Sequence, residues 1–199
     1  MTLTFRPAAD TDTDASFFAW ALNEAMHGFL DTMFGSRCRQ IIAAASRIQG
    51  HDMSLEHVIV AEMDNQIVGM ISGMSTEVMA DVTPVLRRCA GIRILRAGLY
   101  YLAARPIFIG MSRHTLGEWY VQAVAVSRAM RGSGVGSRLL AIAEERAQRC
   151  GCNRITLDVD AGNTGGIRLY ERLGYKTQWT TPGARLLGGA RVHRMSKVV

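Results

Sequence analysis

VAVSRAMRGSGVGSRLL, from Val124 to Leu140, is the stretch from which the rest of the chain is read. It opens like the apolar end of a strand, crosses Ser127 to Met130, and then sets Arg131 before three alternating glycines, Gly132, Gly134 and Gly136. An amphipathic helical pattern follows at once, with Leu139, Leu140, Ala143 and Ala147 on one face. Glycine loses the most backbone freedom on folding, so three in six residues call for a compensating gain. One reading is a flexible surface turn. The other is a backbone cradle for an anion. The first N–H groups of a helix lack intrahelical partners, its dipole favours negative charge, and missing Cβ atoms let an anion come close. Arg131 would add a charged donor.

Two familiar phosphate loops do not fit. The nucleoside triphosphate loop, G-x-x-x-x-G-K-S/T, fails because Ser137 and Arg138 follow Gly136 with no lysine. The dinucleotide fingerprint G-x-G-x-x-G comes nearer, and Asp158 stands near the distance expected of a ribose-binding acid. However, its last glycine falls one place early, and Ser127 to Met130 remove the tight strand-adjacent turn that it requires.

Composition narrows the partners. Hydrophobic residues make up 48% of the 199-residue chain and charged residues 20%, the balance of one ordinary domain with a real core. The net charge of +6, from 23 basic and 17 acidic residues, biases the chain mildly toward anionic ligands. That is far less than a nucleic-acid binder carries, so no nucleic-acid partner is expected. The opening MTLTFRPAADTDTD lacks a basic region followed by an apolar run. The most apolar region, Cys89 to Gly110, is broken by Arg93, Arg96 and Arg105. A soluble, cytoplasmic protein with no membrane partner is the expectation. Cys38, Cys89, Cys150 and Cys152 lack zinc-site spacing, so reduced, mostly buried thiols and no metal are expected.

Periodicity divides the chain into alternating strands and helices, the mark of an α/β domain. Leu3 to Ala8 reads as a strand, Ala15 to Phe34 as one helix and Arg39 to Ile48 as a shorter one. His57 to Met63 and Gln66 to Met74 form a hairpin around Asp64-Asn65. Glu118 to Val126 and Arg154 to Asp160 are strands, Ser137 to Arg149 and Gly165 to Leu173 helices. Two last strands, YKTQWTT and ARVHRMSKVV, flank a loop from Pro182 to Gly189.

The opening stretch resembles the acyl-CoA-binding motif of the GNAT-type N-acetyltransferase superfamily. That motif reads Q/R-x-x-G-x-G/A; Arg131, Gly134 and Gly136 fill it, after a strand ending in Ala125-Val126. A second family element, an asparagine followed by a helix carrying LY and ending in LGY, is matched by NTGGIRLYERLGYK. It supplies Asn163, Tyr170, Leu173, Gly174 and Tyr175. The resemblance implies a GNAT-like fold in a single domain, 1–199: a twisted mixed sheet of about six or seven strands, flanked by helices. The sheet would splay between 118–126 and 154–160, and acetyl-CoA, the co-substrate, would enter there. Its pyrophosphate would sit on Arg131, Gly132, Ser133, Gly134, Val135, Gly136 and Ser137. Its pantetheine arm would pair like an added strand with Val124, Ala125 and Val126.

Acyl transfer to an amine needs a donor cradle, a deprotonated amine, a hydrogen bond to the developing oxyanion and a proton for the departing thiolate. The resemblance assigns the oxyanion bond to the Val124 N–H and the acid to Tyr170. Asn163 would contact the co-substrate or fix the adjacent loop. The base is open between Glu118, which also reads as an exposed strand-end charge, and Tyr120 on the same face. His27, His51, His57, His114 and His193 pair with no serine or cysteine motif and read as structural or surface groups.

The departure from the family pattern is the connection 82–117. It holds Arg87, Arg88, Arg93, Arg96, Arg105 and Arg113 and no acidic residue. Val85, Cys89, Ile92, Leu95, Leu99 and Leu102 recur at helical spacing, which predicts an amphipathic helical insert between the third and fourth strands. It reads either as a basic lid favouring an acidic acceptor or, preferably, as a packing or homodimer helix with solvated arginines. The expected function is acetyl transfer to a primary amine of a small-molecule or peptide acceptor. The rivals are a non-catalytic acyl-CoA sensor and a nucleic-acid binder working through the insert. The latter has no recognised motif and few aromatic residues among its charges.

Overall fold

The computed structural model describes residues 2–183 and 189–199, so most of the loop expected at 182–189 lies outside the described residues. The strands are β1 (Leu3–Pro7), β2 (Val58–Met63), β3 (Gln66–Ser75), β4 (Glu118–Val126), β5 (Arg154–Asp160), β6 (Lys176–Thr180) and β7 (Val192–Val198). They form one seven-stranded sheet in the order β1-β2-β3-β4-β5-β7-β6. Neighbours are antiparallel except β4 and β5, which run parallel. The β2–β3 hairpin turns through Asp64 (φ 49°) and Asn65 (φ 62°). Both lie in the left-handed region that the tightest hairpins require and that aspartate and asparagine tolerate.

Alternation along β2 sends Val58 and Val60 to one face and Ile59 and Ala61 to the other, and both faces are covered. On the first face lie α1 (Asp12–Ala25) and α3 (Cys38–Ser46), with Phe18, Leu22 and Ile42 buried. On the second lies α7 (Val135–Arg149), with Leu139, Leu140, Ala143 and Ala147 buried as its spacing predicted. Buried Asp14 ties three elements together. It accepts from Arg6 of β1 at 2.7 Å and from the Ala9 N–H, and Arg6 also reaches Glu62 of β2. Burial pushes the Asp14 carboxyl up, but the hydrogen bonds from Arg6, Ala9 and Thr11 outweigh it and hold the group below its ordinary range.

The helix expected from Ala15 to Phe34 is two helices. His27 (φ 51°) and Gly28 (φ 76°) turn the chain left-handed between α1 and α2 (Phe29–Phe34). The connection between β3 and β4 is helical as expected, but it folds as α4 (Thr83–Ala90), α5 (Arg93–Ala103) and α6 (Arg105–Met111). Gly91, at φ 55°, breaks the expected helix and resets its phase. Cys89 still packs on the core, but Ile92, Leu95, Leu99 and Leu102 are 66–80% exposed. The small residues Ala90, Ala97 and Ala104 are buried instead. They allow close approach to α2 and α3, and Arg96 secures the contact by donating to the Thr32 carbonyl at 3.0 Å.

The sheet opens where the site forms. Parallel pairing of β4 with β5 runs from Glu118↔Arg154 to Val121↔Leu157 and stops, although both strands continue. The β3–β4 register shifts by one residue between Ser72 and Gly73, leaving Gln122 as an extra residue on β4. A bulge bends the strand that carries it, and this one turns β4 away from β5 at the last shared pair.

Candidate active site

The glycine stretch leads directly into α7. Gly132 (φ 81°) and Gly134 (φ 87°) both lie in the left-handed region, and Gly134 is the residue that caps the helix. A Cβ added at either would meet nothing within 4 Å. These glycines are therefore required by backbone conformation, and the space above them is open, which suits an anion on the free N–H groups. Gly136 differs: it has no positive φ, and a Cβ there would stand in ordinary contact with Leu169 at 3.4 Å. The Arg131 guanidinium bridges the loop to α1, donating to Glu24 at 2.9 Å and to the Val126 carbonyl at 3.3 Å.

From this cradle a cleft of about 660 Å³ runs along Val124, Ala125 and Val126. The Ser127 N–H donates to Val68 of β3, extending the antiparallel ladder in which Ala125 pairs with Met70. Backbone groups alternate sides along a strand, so Val124 and Val126 turn their N–H and C=O groups toward the opened β5 side. The bond from Arg131 to the Val126 carbonyl agrees with that orientation. The split thus exposes a strand edge that β5 does not pair, with the Val124 N–H on it.

A second chamber of about 340 Å³ lies beyond the end of the cleft. Ala25, His27, Val124, Asn163 and Tyr170 line both spaces. Asn163 caps α8 (Thr164–Arg172), its Oδ1 accepting from the Gly166 N–H at 2.9 Å. Tyr170, two turns into α8, is 8% exposed and stands against Tyr175 with ring centroids 5.9 Å apart. Burial pushes its phenol up to about 12, which keeps it protonated at neutral pH. His27 sits on the left-handed turn between α1 and α2 and is exposed at the junction.

The roof of the second chamber is the insert. Ala104, Ile107, Phe108 and Met111 face Phe29 of α2 and Leu157 and Val159 of β5. A buried ion pair fixes that roof. Arg194 of β7 donates to Asp158 at 2.7 and 2.8 Å, and both side chains are under 5% exposed. The same guanidinium donates to the carbonyls of Met111, at 2.6 Å, and of Arg113. Asp158 also accepts from the Tyr120 hydroxyl at 3.1 Å. Burial and the adjacent Asp158 carboxylate push the Tyr120 phenol well up, so it stays neutral and a donor.

A family model described as the acetyltransferase (GNAT) family matches residues 18–175. The chain belongs to this family. An acetyltransferase of Agrobacterium fabrum is 43% identical over 67 residues, 33% of this chain and 47% of that protein. A mycothiol acetyltransferase of Thermobispora bispora is 40% identical over 65 residues, covering 33% of this chain and 21% of that one. The chain thus spans about half, or less, of the length of these relatives. An N-acetyltransferase structure from Staphylococcus aureus shares the fold, with a TM-score of 0.74 and 17% identity over 98% of this chain and all of that one. Ard1 from Thermoplasma volcanium shares it at a TM-score of 0.59 and 16% identity, covering 100% and 99%.

On this GNAT scaffold most of the expected residues gather around the split: Val124 to Val126, Arg131, Gly132, Gly134, Gly136, Ser137, Asn163 and Tyr170 all line the cleft. Ser133 donates to the Met130 carbonyl at 2.6 Å, holding the loop, and Val135 is buried at the start of α7. Glu118 does not join them. It lies at the closed end of the β4–β5 pairing, beside Arg154 at 3.5 Å, and lines neither space. Tyr120 lies in the second chamber, where its hydroxyl donates to the Asp158 carboxylate and its phenol is pushed up by burial. The Arg194–Asp158 pair and the roof on α6 leave no signal in the sequence, and His27, which reads there as a structural or surface group, lines both spaces. His27 carried one usable signal, the His-Gly pair that interrupts the helical period.

Proposed function

We propose that the protein transfers the acetyl group of acetyl-CoA to a primary amine. The observation that carries this reading is the junction itself: an anion cradle, an unpaired strand edge and a neutral buried phenol meet where two cavities join. The backbone N–H groups from Gly132 to Ser137 would hold the pyrophosphate. Val124 and Val126 would pair with the pantetheine arm, and the Val124 N–H would face the thioester oxygen. Attack by the amine forms the C–N bond and moves charge onto that oxygen, where the N–H stabilises it. Collapse breaks the C–S bond, and Tyr170 gives its proton to the sulfur. The proton of the attacking amine goes to His27, the titratable side chain at the junction besides Tyr170. With Glu118 at the closed end of the sheet, His27 replaces it as base in this account.

Thiol release from acetyl-CoA with a panel of primary amines tests the reading, alongside acetyl-CoA binding by calorimetry. Amine-dependent thiol release, reduced about 10²-fold or more by His27→Gln, supports it. Acetyl-CoA binding with no turnover on any amine would favour a sensor instead.

A further inference from the structure

We propose that the second chamber selects a primary amine carried on a hydrophobic body of ring size, without carboxylate or phosphate groups. This rests on the acetyl-transfer reading and names the acceptor class.

The chamber's walls supply the argument. Phe29, Ile107, Phe108, Met111, Leu157 and Val159 form the apolar wall of the space beyond the junction, which Thr32 and Gln122 also line. Phe108 is held between Phe29 and Tyr101, with ring centroids 5.9 and 4.8 Å away, so the wall is a packed aromatic surface. A volume of about 340 Å³ is at the small end of ligand sites, room for a ring or short alkyl chain.

Charge points the same way. None of Arg87, Arg88, Arg93, Arg96, Arg105 and Arg113 lines the chamber, so the basic insert presents its apolar face to the acceptor. The carboxylates there are Asp158 and Asp160. Asp158 has both oxygens filled by Arg194 and Tyr120. Asp160 accepts from the Gly162 N–H through Oδ1 at 2.7 Å, and among the described residues no hydrogen bond engages its Oδ2, which would face an incoming ammonium. An anionic substituent would meet a carboxylate and apolar walls, and would lose its hydration with no cation from the insert to replace it.

The test compares kcat/KM on the purified protein for 2-phenylethylamine, hexylamine, spermidine, glutamate and glucosamine 6-phosphate, with acetyl-CoA binding measured in parallel. The expected result is a preference of about 100-fold or more for the first two over the last two. Phe108→Ala should raise KM for 2-phenylethylamine about tenfold and leave the acetyl-CoA Kd unchanged. The ranking with the unaltered protein stands even if that variant fails to fold. Equal or better use of glutamate or glucosamine 6-phosphate overturns the acceptor class while acetyl transfer survives. Acetyl-CoA binding without turnover of either hydrophobic amine also overturns it. Failure to bind acetyl-CoA overturns the reading on which it rests.

Discussion

Tyr170→Phe removes one oxygen atom from the junction and little else. The ring is buried against Tyr175 and stays in place in the variant. Among the described residues no side-chain hydrogen bond engages the Tyr170 hydroxyl, so its loss leaves no buried partner unpaired. The expected change in stability is within about 1 kcal/mol, or roughly 2–4 °C in Tm for a chain of this size. The expected change in catalysis is much larger. With its pKa pushed up to about 12, the phenol is ionised in only about one molecule in 10⁵ at pH 7, so nearly every enzyme molecule holds the acid in its proton-bearing form. Loss of that acid should lower kcat by about 10²- to 10³-fold, equivalent to about 3–4 kcal/mol of transition-state stabilisation. The acetyl-CoA Kd should not move, because the phosphate cradle and strand edge are untouched. Nor should Tyr170 impose an alkaline fall in kcat below about pH 11, since its proton is retained until then. The assay is steady-state thiol release with calorimetry and a thermal melt on the same samples. A kcat within twofold of the unaltered enzyme, or a Tm drop with kcat intact, would refute the acid assignment.

Gly134→Glu should abolish acetyl-CoA binding in calorimetry, because it forces a side chain onto a left-handed residue and puts an anion where the pyrophosphate belongs. An intact fold with unchanged affinity would contradict the cradle. Arg194→Met should destabilise by about 3–5 kcal/mol, since it leaves Asp158 buried without its cation and frees the end of α6. A melt unchanged from wild type would show that the pair does not hold the roof. Asp14 has a depressed pKa in the folded state, so its stabilisation is full above the unfolded value near 4 and is lost as pH falls toward the folded one. Asp14→Asn should therefore flatten the decline of Tm between about pH 5 and 3, and parallel declines in the two proteins would count against it.

What could be read from the sequence was local in origin. The α7 loop announced itself because left-handed backbone and an open approach both demand glycine, and the Asp64-Asn65 hairpin because its turn tolerates few residues. Asn163, Tyr170 and Gly174 followed along one short helix, as its N-cap, a buried residue within it and the left-handed glycine past its end. What could not be read depended on distance. Asp158 and Arg194 are 36 residues apart and meet because β5 and β7 pair. Glu118 carries the right chemistry for a base, but the parallel pairing of β4 with β5 places it at the closed end. The period that begins at Phe18 runs through the break at His27, since Phe18 and Leu22 on one side and Leu30 and Phe34 on the other reach one core. On the insert, the spacing of the apolar stripe predicts one amphipathic helix. After Gly91 the buried positions fall to alanines, and Leu95 and Leu99 point to solvent.

The most direct test of the account is a crystal structure of the protein with acetyl-CoA bound. The pyrophosphate is expected within hydrogen-bond distance of the N–H groups at Gly132 to Ser137. The thioester oxygen is expected on the Val124 N–H and the sulfur beside the Tyr170 hydroxyl. A donor seated elsewhere, or one whose thioester lies away from Val124 and Tyr170, would contradict it.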